Sequence, residues 1–549
     1  MEQIRDLIKG VVNKLFSIDI EVELSRTDEQ FGDYSTNIAL QLAKQVGSSP
    51  REIAMKISEE LKNELVKKVE VAGPGFINIT LTDNTLVDLL NSKPELPYKD
   101  TASVIETNNP NPFKAMHIGH AFNAIIADTI ANLVQLGGAN TYRVSYHGDV
   151  GLHVGKSMYS LLKFVGEDID NLNNIQEADR NSFMSKMYAE GSSAYKDNDE
   201  AKQEIEELTK KSFTREDRIY SMVYDICKDW SFEQIDRDVA RLGNVPIERR
   251  FLESDAELRG VKIVKDNVPR VFQESNGAII FEGSKYGSFD NVFVSARGTG
   301  LYAARDLGLM QLKNEYYHPN KSYIVTAEEQ RAYFKGVIAA AELCNPEYKD
   351  VTVNIPTGMV KLSTGKMSSR NGDVIEIDWL FDQVAEAIKA RGSNPDDESI
   401  AAVLRYQFLQ VRVGGDVVFD IDQAVSVHGN SGPYLQYAHA RARSILRKAK
   451  TTGEYKSFAG DFNFESDERS LIRKIGEYSD EVSKATSELL PHYICNYLYE
   501  LAQAFNRFYE KNRVIDDERQ EVRLYLVNKY AETLKSGLII LGIQAPEQM

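Results

Sequence analysis

The feature that most constrains this chain is a strand, a loop and a helix in immediate succession. Ser103-Val104-Ile105-Glu106-Thr107 reads as a strand, and a Pro/Asn loop follows it. From about His117 to Leu136, apolar Ile118, Phe122, Ile125, Ile130, Leu133 and Val134 recur at helical spacing, and Gly137-Gly138 supplies a stop. A second strand pattern, Thr141–Tyr146, comes directly after. Strand, helix and strand with short connections predict a parallel βαβ unit, hence an α/β fold with a doubly wound parallel sheet.

Around that unit the chain divides. At 549 residues it is too long for one hydrophobic core. Residues 1–95 read as a small α+β domain, with helical patterns at Ile4–Phe16 and Tyr34–Gln45 and strand-like runs at Ile18–Leu24 and Phe76–Leu81. Ser92-Lys93-Pro94, followed by Pro97, marks a linker. Residues 96–390 form the α/β domain, interrupted at about 157–245 by a charged helical insertion. Strand-like runs resume at Ala278–Glu282, Val292–Val294 and Ser322–Thr326. Residues 391–549 read as a helical bundle, with Tyr497, Leu501, Phe505 and Phe508 on one helical face.

The helix after the first strand opens on Lys114-Ala115-Met116-His117-Ile118-Gly119-His120. A helix N-terminus offers free amides and a positive dipole end to a triphosphate. Gly119 lets a nucleotide approach the backbone, and histidines three residues apart share a face from which they can donate to phosphate oxygens. Far downstream, Gly358-Met359-Val360-Lys361-Leu362-Ser363-Thr364-Gly365-Lys366-Met367-Ser368-Ser369 sets a lysine between a glycine and two small hydroxyl residues. Such a loop can close on a triphosphate and neutralise charge on departing pyrophosphate. Gly151–Ser157 ends like a P-loop, but Val150 stands where its first glycine is required.

The two strings together resemble the HIGH and KMSKS signatures of class I aminoacyl-tRNA synthetases. Further strings narrow the resemblance to the arginyl-tRNA synthetases. Glu106-Thr107-Asn108-Asn109-Pro110-Asn111 is similar to the segment before HIGH in that family, His147-Gly148-Asp149-Val150-Gly151 to its GDWG, and Leu301–Gly308 to its LYxxRD element. Gly429–Arg441 matches its GN[ST]GPYLQYAHAR string almost without change, and the ending Leu541–Met549 is also typical.

The resemblance implies a Rossmann-like catalytic domain and a set of roles. His117, His120 and Lys366 would be catalytic; Lys114, Gly119, His120, Met359, Val360, Lys366, Met367, Ser368 and Ser369 would bind ATP. Asp306 and Tyr302 would hold the guanidinium of arginine, with Glu253 as a second carboxylate and Glu329 in a contact usually made by glutamine. Glu106 and Asn111 would orient the amino-acid end. Phe76 and Asn78, after the Gly73-Pro74-Gly75 turn, would read a base of the tRNA D-loop. Tyr434, Tyr437 and Arg441 would face the anticodon; their competing reading, like that of Phe76, is a place in the core. Departures are Val150 for the Trp of GDWG, Arg297 for a usual Asp, and Glu328-Glu329 where a Gln is expected. The chain also carries both Lys114 and Lys366, whereas many relatives keep only the first.

The expected substrates are arginine, ATP with Mg²⁺, and tRNA. Other readings are a different class I synthetase, or a nucleotidylyltransferase with an HxGH motif, which would be far shorter. Cys227, Cys344 and Cys495 form no CxxC pair, so no bound zinc or disulfide framework is expected and a reducing cytoplasm suits the chain. No apolar run is long enough to span a bilayer, and a monomer is expected. Net charge is −17, so RNA would have to meet a local basic patch, for which Arg441, Arg443, Arg447, Lys448 and Lys450 are candidates.

Overall fold

The structure is a computed structural model that describes residues 2–166, 168–363, 375–449 and 463–549. Lys366, Met367, Ser368 and Ser369 of the downstream loop, and Lys450 of the basic patch, lie outside the described residues.

The N-terminal unit is a four-stranded antiparallel sheet, β1 (Ser25–Arg26), β2 (Tyr34–Thr36), β3 (Val66–Ala72) and β4 (Phe76–Leu81), in the order β1-β2-β4-β3. Helices Glu2–Phe16, Ile38–Val46 and Pro50–Glu60 accompany it. Two expectations fail here. The run Ile18–Leu24 is not a strand, and the helix expected from Tyr34 begins at Ile38. Tyr34–Thr36 instead pairs with β4 and is fully buried, so cross-strand pairing overrides local helical spacing. Along β4, Ile77, Ile79 and Leu81 point to the core while Phe76 is 41% exposed.

The α/β domain is built on β5 (Ala102–Glu106), β6 (Asn140–His147) and β7 (Arg249–Leu252). A separate antiparallel sheet follows, of β8 (Gln273–Ser275), β9 (Ala278–Phe281) and β10 (Asn291–Val294). The chain then returns through β11 (Lys321–Ala327) and β12 (Thr352–Thr357), giving a five-stranded parallel sheet in the order β12-β11-β5-β6-β7. Of the three strand runs expected after the insertion, only the one at β11 joins this sheet; those at β9 and β10 pair with each other. The order reverses between β5 and β11, and ligands in doubly wound sheets bind outside the carboxyl ends of the strands at such a switch point. Between β6 and β7 lie the helices Leu152–Val165, Arg180–Asp197, Asp199–Thr214 and Arg218–Arg241. Gly155 packs there against Thr209, where a Cβ would come within 2.1 Å of the hydroxyl; the P-loop look-alike is a helix–helix contact.

Among the described residues of the C-terminal part the one strand is β14 (Val417–Phe419), which pairs in parallel with β13 (Val360–Leu362). Helices Gly432–Lys448, Ser466–Ile475, Tyr478–Glu488, His492–Lys511 and Gln520–Ile540 form the bundle. Arg405, on the helix Asp397–Leu409, is fully buried; its guanidinium bonds to Asp128 at 2.9 Å and to the carbonyls of Leu242 and Leu541. That one side chain ties the helix Ile118–Leu136 to the end of the bundle, with every described polar neighbour paired as burial of charge demands. The N-terminal sheet docks on the bundle through Arg469 to Asp33 and Arg26 to Asp480, each at 2.7 Å. No helix among the described residues is long and apolar enough to cross a membrane.

Candidate active site

The helix Ile118–Leu136 begins at the carboxyl end of β5, and its first turn has an unusual cap. His117 is the N-cap residue: its Nδ1 accepts the amide N–H of His120 at 3.3 Å, while Nδ1 of His120 faces the amide of His117 at 3.4 Å. The two rings stack with centroids 3.5 Å apart. Gly119 makes this possible, since a Cβ there would sit 3.2 Å from the ring of His117. An Nδ1 that accepts from an amide carries no proton, so each neutral ring keeps its proton on Nε2 as a donor. Burial, then the nearby Lys114 ammonium, push His117 down to about 4; burial and the charges of His117 and Lys114 push His120 well below the ordinary value. At neutral pH the pair is two uncharged donors rather than two imidazolium ions.

Lys114 is itself held below the ordinary lysine range by burial and by Lys156, and it makes no ion pair among the described residues. The chain returning from the downstream loop is stitched to this turn: Ile118 N–H donates to Ile375 at 2.9 Å and Ile377 N–H donates to Met116 at 3.0 Å. Met359 lies just before β13, with its amide on Asp416 at 2.9 Å and its side chain 56% exposed; Val360 opens the strand.

Beside the histidine turn, the carboxyl ends of β5, β6 and β7 and the helix Tyr302–Tyr317 enclose an acidic cluster. Glu106 is buried, with Oε1 2.8 Å from the ammonium of Lys313 and Oε2 accepting from Asn109 at 2.8 Å. Glu253 meets Arg305 at 2.7 Å, and Glu257 meets the same guanidinium at 3.3 Å. Asp306 accepts a hydrogen bond from the hydroxyl of Tyr333 and has no ion-pair partner among the described residues. Burial, with Glu106 and Glu253 nearby, pushes its carboxyl up to about 7. Four carboxylates, Glu106, Glu253, Glu257 and Asp306, thus face two resident cations, Arg305 and Lys313. The cluster is short of positive charge, which a cationic ligand would supply.

Asn111 accepts the Gly148 amide at 2.8 Å, and a Cβ on Gly148 would lie 3.1 Å from both Asn111 and Glu253, so the GDWG-like turn fits closely between them. Asp149 is buried and accepts from the amide and hydroxyl of Ser254 and the hydroxyl of Tyr224, which fixes the turn and leaves Asp149 no free face.

The site residues expected from sequence therefore divide. His117, Gly119 and His120 form one device, and Asn111, Glu253 and Asp306 line one cluster. Glu106 is occupied by Lys313 and Asn109. Tyr302 is 70% exposed, its ring 5.4 Å from the Arg305 guanidinium. Glu329 is exposed on a short turn after β11. Sequence reading missed Arg305, Lys313, Tyr146 and Tyr333; of these, only Arg305 lay inside a quoted motif.

The terminal surfaces are equally specific. Asn78 is half-buried on the same outward face of β4 as Phe76. On the helix Gly432–Lys448, Tyr434 is half-buried with its hydroxyl accepting from Asn506 at 2.9 Å, Tyr437 is 45% exposed, and Arg441 lies 4.6 Å over the ring of Tyr509. The expected basic patch is partly neutralised, because Arg443 pairs with the Glu547 carboxylate at 2.7 Å; Arg447 donates to the backbone carbonyl of Glu547 at the same distance.

Comparison with known proteins covers nearly the whole chain. The description "tRNA synthetases class I (R), catalytic domain" matches residues 84–417, "Arginyl tRNA synthetase N terminal domain" residues 2–81, and "DALR anticodon binding domain" residues 435–549. The chain belongs to the class I arginyl-tRNA synthetase family. Among arginyl-tRNA synthetases, the arginine–tRNA ligase of Thermobifida fusca is 30% identical, covering 95% of this chain and 94% of the relative. That of Parabacteroides distasonis is 27% identical over 100% of this chain and 99% of its own length. The solved arginyl-tRNA synthetase of Thermus thermophilus has the same fold, with a TM-score of 0.80 at 22% identity, each chain being covered completely. The parallel sheet with its N-terminal domain and helical C-terminal bundle is the architecture of that family.

Proposed function

We propose that this chain activates L-arginine with Mg-ATP to arginyl-adenylate and pyrophosphate, then passes the arginyl group to the 2′-hydroxyl of the 3′-terminal adenosine of tRNA. In the first step a carboxylate oxygen of arginine attacks the α-phosphorus, forming the acyl–phosphate bond as the bond to pyrophosphate breaks. In the second, the ribose hydroxyl attacks the acyl carbon, AMP leaves, and the hydroxyl proton departs with it or to solvent. No protein nucleophile is required. Rate comes from alignment and from donors aimed at developing phosphate charge. Those donors are His117 and His120, assisted by Lys114 and by Lys366.

The observation that carries the arginine reading is Asp306: a buried carboxyl beside Glu106 and Glu253 with no ion-pair partner of its own among the described residues. A guanidinium answers it with charge and a planar fork of donors, which an ammonium lacks. ATP–pyrophosphate exchange in the presence of tRNA tests this. Arginine should drive exchange, and lysine should do so at least 100-fold less well. Equal exchange with glutamate or cysteine would remove the assignment.

Residues 1–95 and 391–549 are proposed to hold tRNA on either side of the catalytic unit 96–390. Exposure of Phe76 and Tyr437 supports this, since an aromatic ring in the core would not show 41% or 45% of its surface. Tyr437→Ala should weaken tRNA binding by about 1–3 kcal/mol, the usual worth of a base stacked on an aromatic side chain. The melting temperature should move by no more than about 2 °C, as befits a surface substitution. A large fall in melting temperature with unchanged tRNA binding would make Tyr437 a core residue.

A further inference from the structure

Tyr146 lies on β6, whose neighbours in the sheet are β5 and β7. Its amide donates to Asn109 at 2.9 Å, and Asn109 in turn holds Glu106. Its hydroxyl is buried and has no hydrogen-bond partner among the described residues. A buried phenol left unpaired costs the full desolvation of the group, so such an atom marks a place where a ligand completes the set. The charged groups it faces are Asp306, Glu253, Arg305 and Glu106. On the next helix, Arg331–Cys344, the hydroxyl of Tyr333 reaches back to donate to Oδ2 of Asp306.

We propose that Tyr146 and Tyr333 complete the arginine-recognition site: Tyr333 fixes the Asp306 carboxylate by occupying Oδ2, and the Tyr146 hydroxyl accepts a guanidinium N–H beside it. This rests on Asp306 being the guanidinium partner. Tyr333 is a positioning residue, since it acts through Asp306; Tyr146 is a specificity residue, since it touches the substrate. The Tyr146 oxygen, which has no partner among the described residues, can accept from a terminal N–H of arginine. An analogue with a methyl group in place of that nitrogen, such as iminoethyl-ornithine, keeps the cation but offers the Tyr146 oxygen no N–H at that position. Sites built around a substrate N–H reject analogues that lack it far more strongly than apolar pockets do.

The full-length enzyme with tRNA, assayed by pyrophosphate exchange, tests both roles. Tyr146→Phe should raise the arginine KM about 10-fold and leave the ATP KM unchanged. The ratio of kcat/KM for arginine over iminoethyl-ornithine should fall by a similar factor, which loss of packing alone would not produce. The variant removes only an unpaired buried hydroxyl, so its melting temperature should hold or rise. Tyr333→Phe removes the bond that draws the Asp306 proton off, so the acid limb of the arginine KM profile should move to higher pH. That limb reflects Asp306 among Glu106, Glu253, Tyr146, Tyr333, Arg305 and Lys313, the ionisable groups around it. An unchanged arginine/iminoethyl-ornithine ratio in Tyr146→Phe overturns the role of Tyr146, and an unmoved limb in Tyr333→Phe overturns that of Tyr333. If Asp306→Asn also leaves the arginine KM unchanged, the Asp306 reading fails as well; if only the tyrosine variants are silent, that reading stands.

Discussion

Asp306→Asn should raise the KM for arginine roughly 100-fold while the KM for ATP stays near its original value. Truncating one partner of a desolvated, hydrogen-bonded charge pair costs about 2–5 kcal/mol, and the middle of that range is more than a hundredfold in affinity. The ATP end should be spared because the proposed phosphate donors sit on a different element, the first turn of the helix Ile118–Leu136. A pH dependence accompanies the effect. In the free enzyme the Asp306 carboxyl is pushed up to about 7, chiefly by burial. The guanidinium binds the ionised form, so a proton must leave before arginine enters. Arginine KM should therefore rise as pH falls below about 7, with up to a tenfold loss per pH unit, and level off above it. Asp306→Asn should flatten the profile. A wild-type arginine KM that stays constant between pH 5.5 and about 8 would show that this carboxyl does not meet the substrate.

The elements that were legible in the sequence are those whose signal is local. The helix Ile118–Leu136 carries apolar residues at helical spacing between a strand and a glycine stop, and it forms with nearly those bounds. β5 and β11 are runs of buried residues in the middle of the sheet, β6 between β5 and β7 is buried from Arg143 to Ser145, and all three read as strands. The sheet's two edges did not. β7 is Arg249-Arg250-Phe251-Leu252 and β12 is only half-buried along most of its length, so neither shows the apolar run of a central strand. The opposite error occurred at Ile18–Leu24, where an apolar alternation found no strand to pair with.

The active site divides along the same line. The histidine pair was legible because its parts lie three residues apart and a helix N-terminus explains them. Its mutual cap was not legible, because histidine is an uncommon N-cap and nothing local announces one. The pairing of Glu106 with Lys313 spans 207 positions and that of Tyr333 with Asp306 spans 27. Lysine and tyrosine at those places carry no spacing signal; only the fold brings them to the carboxylates. Hence Glu106, expected to touch substrate, proves to have both oxygens engaged within the protein, and Asp306 is left as the acid in need of a cation.

The largest effect on turnover should come from the histidines. His117→Asn keeps an N-capping side chain but withdraws the Nε2 donor, so the helix start survives while the phosphate contact is lost. Removing one preorganised donor to transition-state charge typically costs about 10²–10³ in kcat. The KM for ATP should change by less than about threefold, because the donor matters most where charge develops. His120→Ala should act similarly, and the double variant should lose less than the product of the two, since each ring holds the other's orientation at 3.5 Å. The protonation state gives an independent check. With His117 down at about 4, its ring remains neutral from pH 8 to pH 5.5, and burial moves His120 in the same direction. At saturating arginine, kcat should therefore show no rise towards acid in that range. If imidazolium were the donor, kcat would climb as pH fell through about 6.5, the ordinary histidine value. A climbing profile that is lost in His117→Asn would mean that the rings act as cations, and the neutral stacked pair would have to be given up.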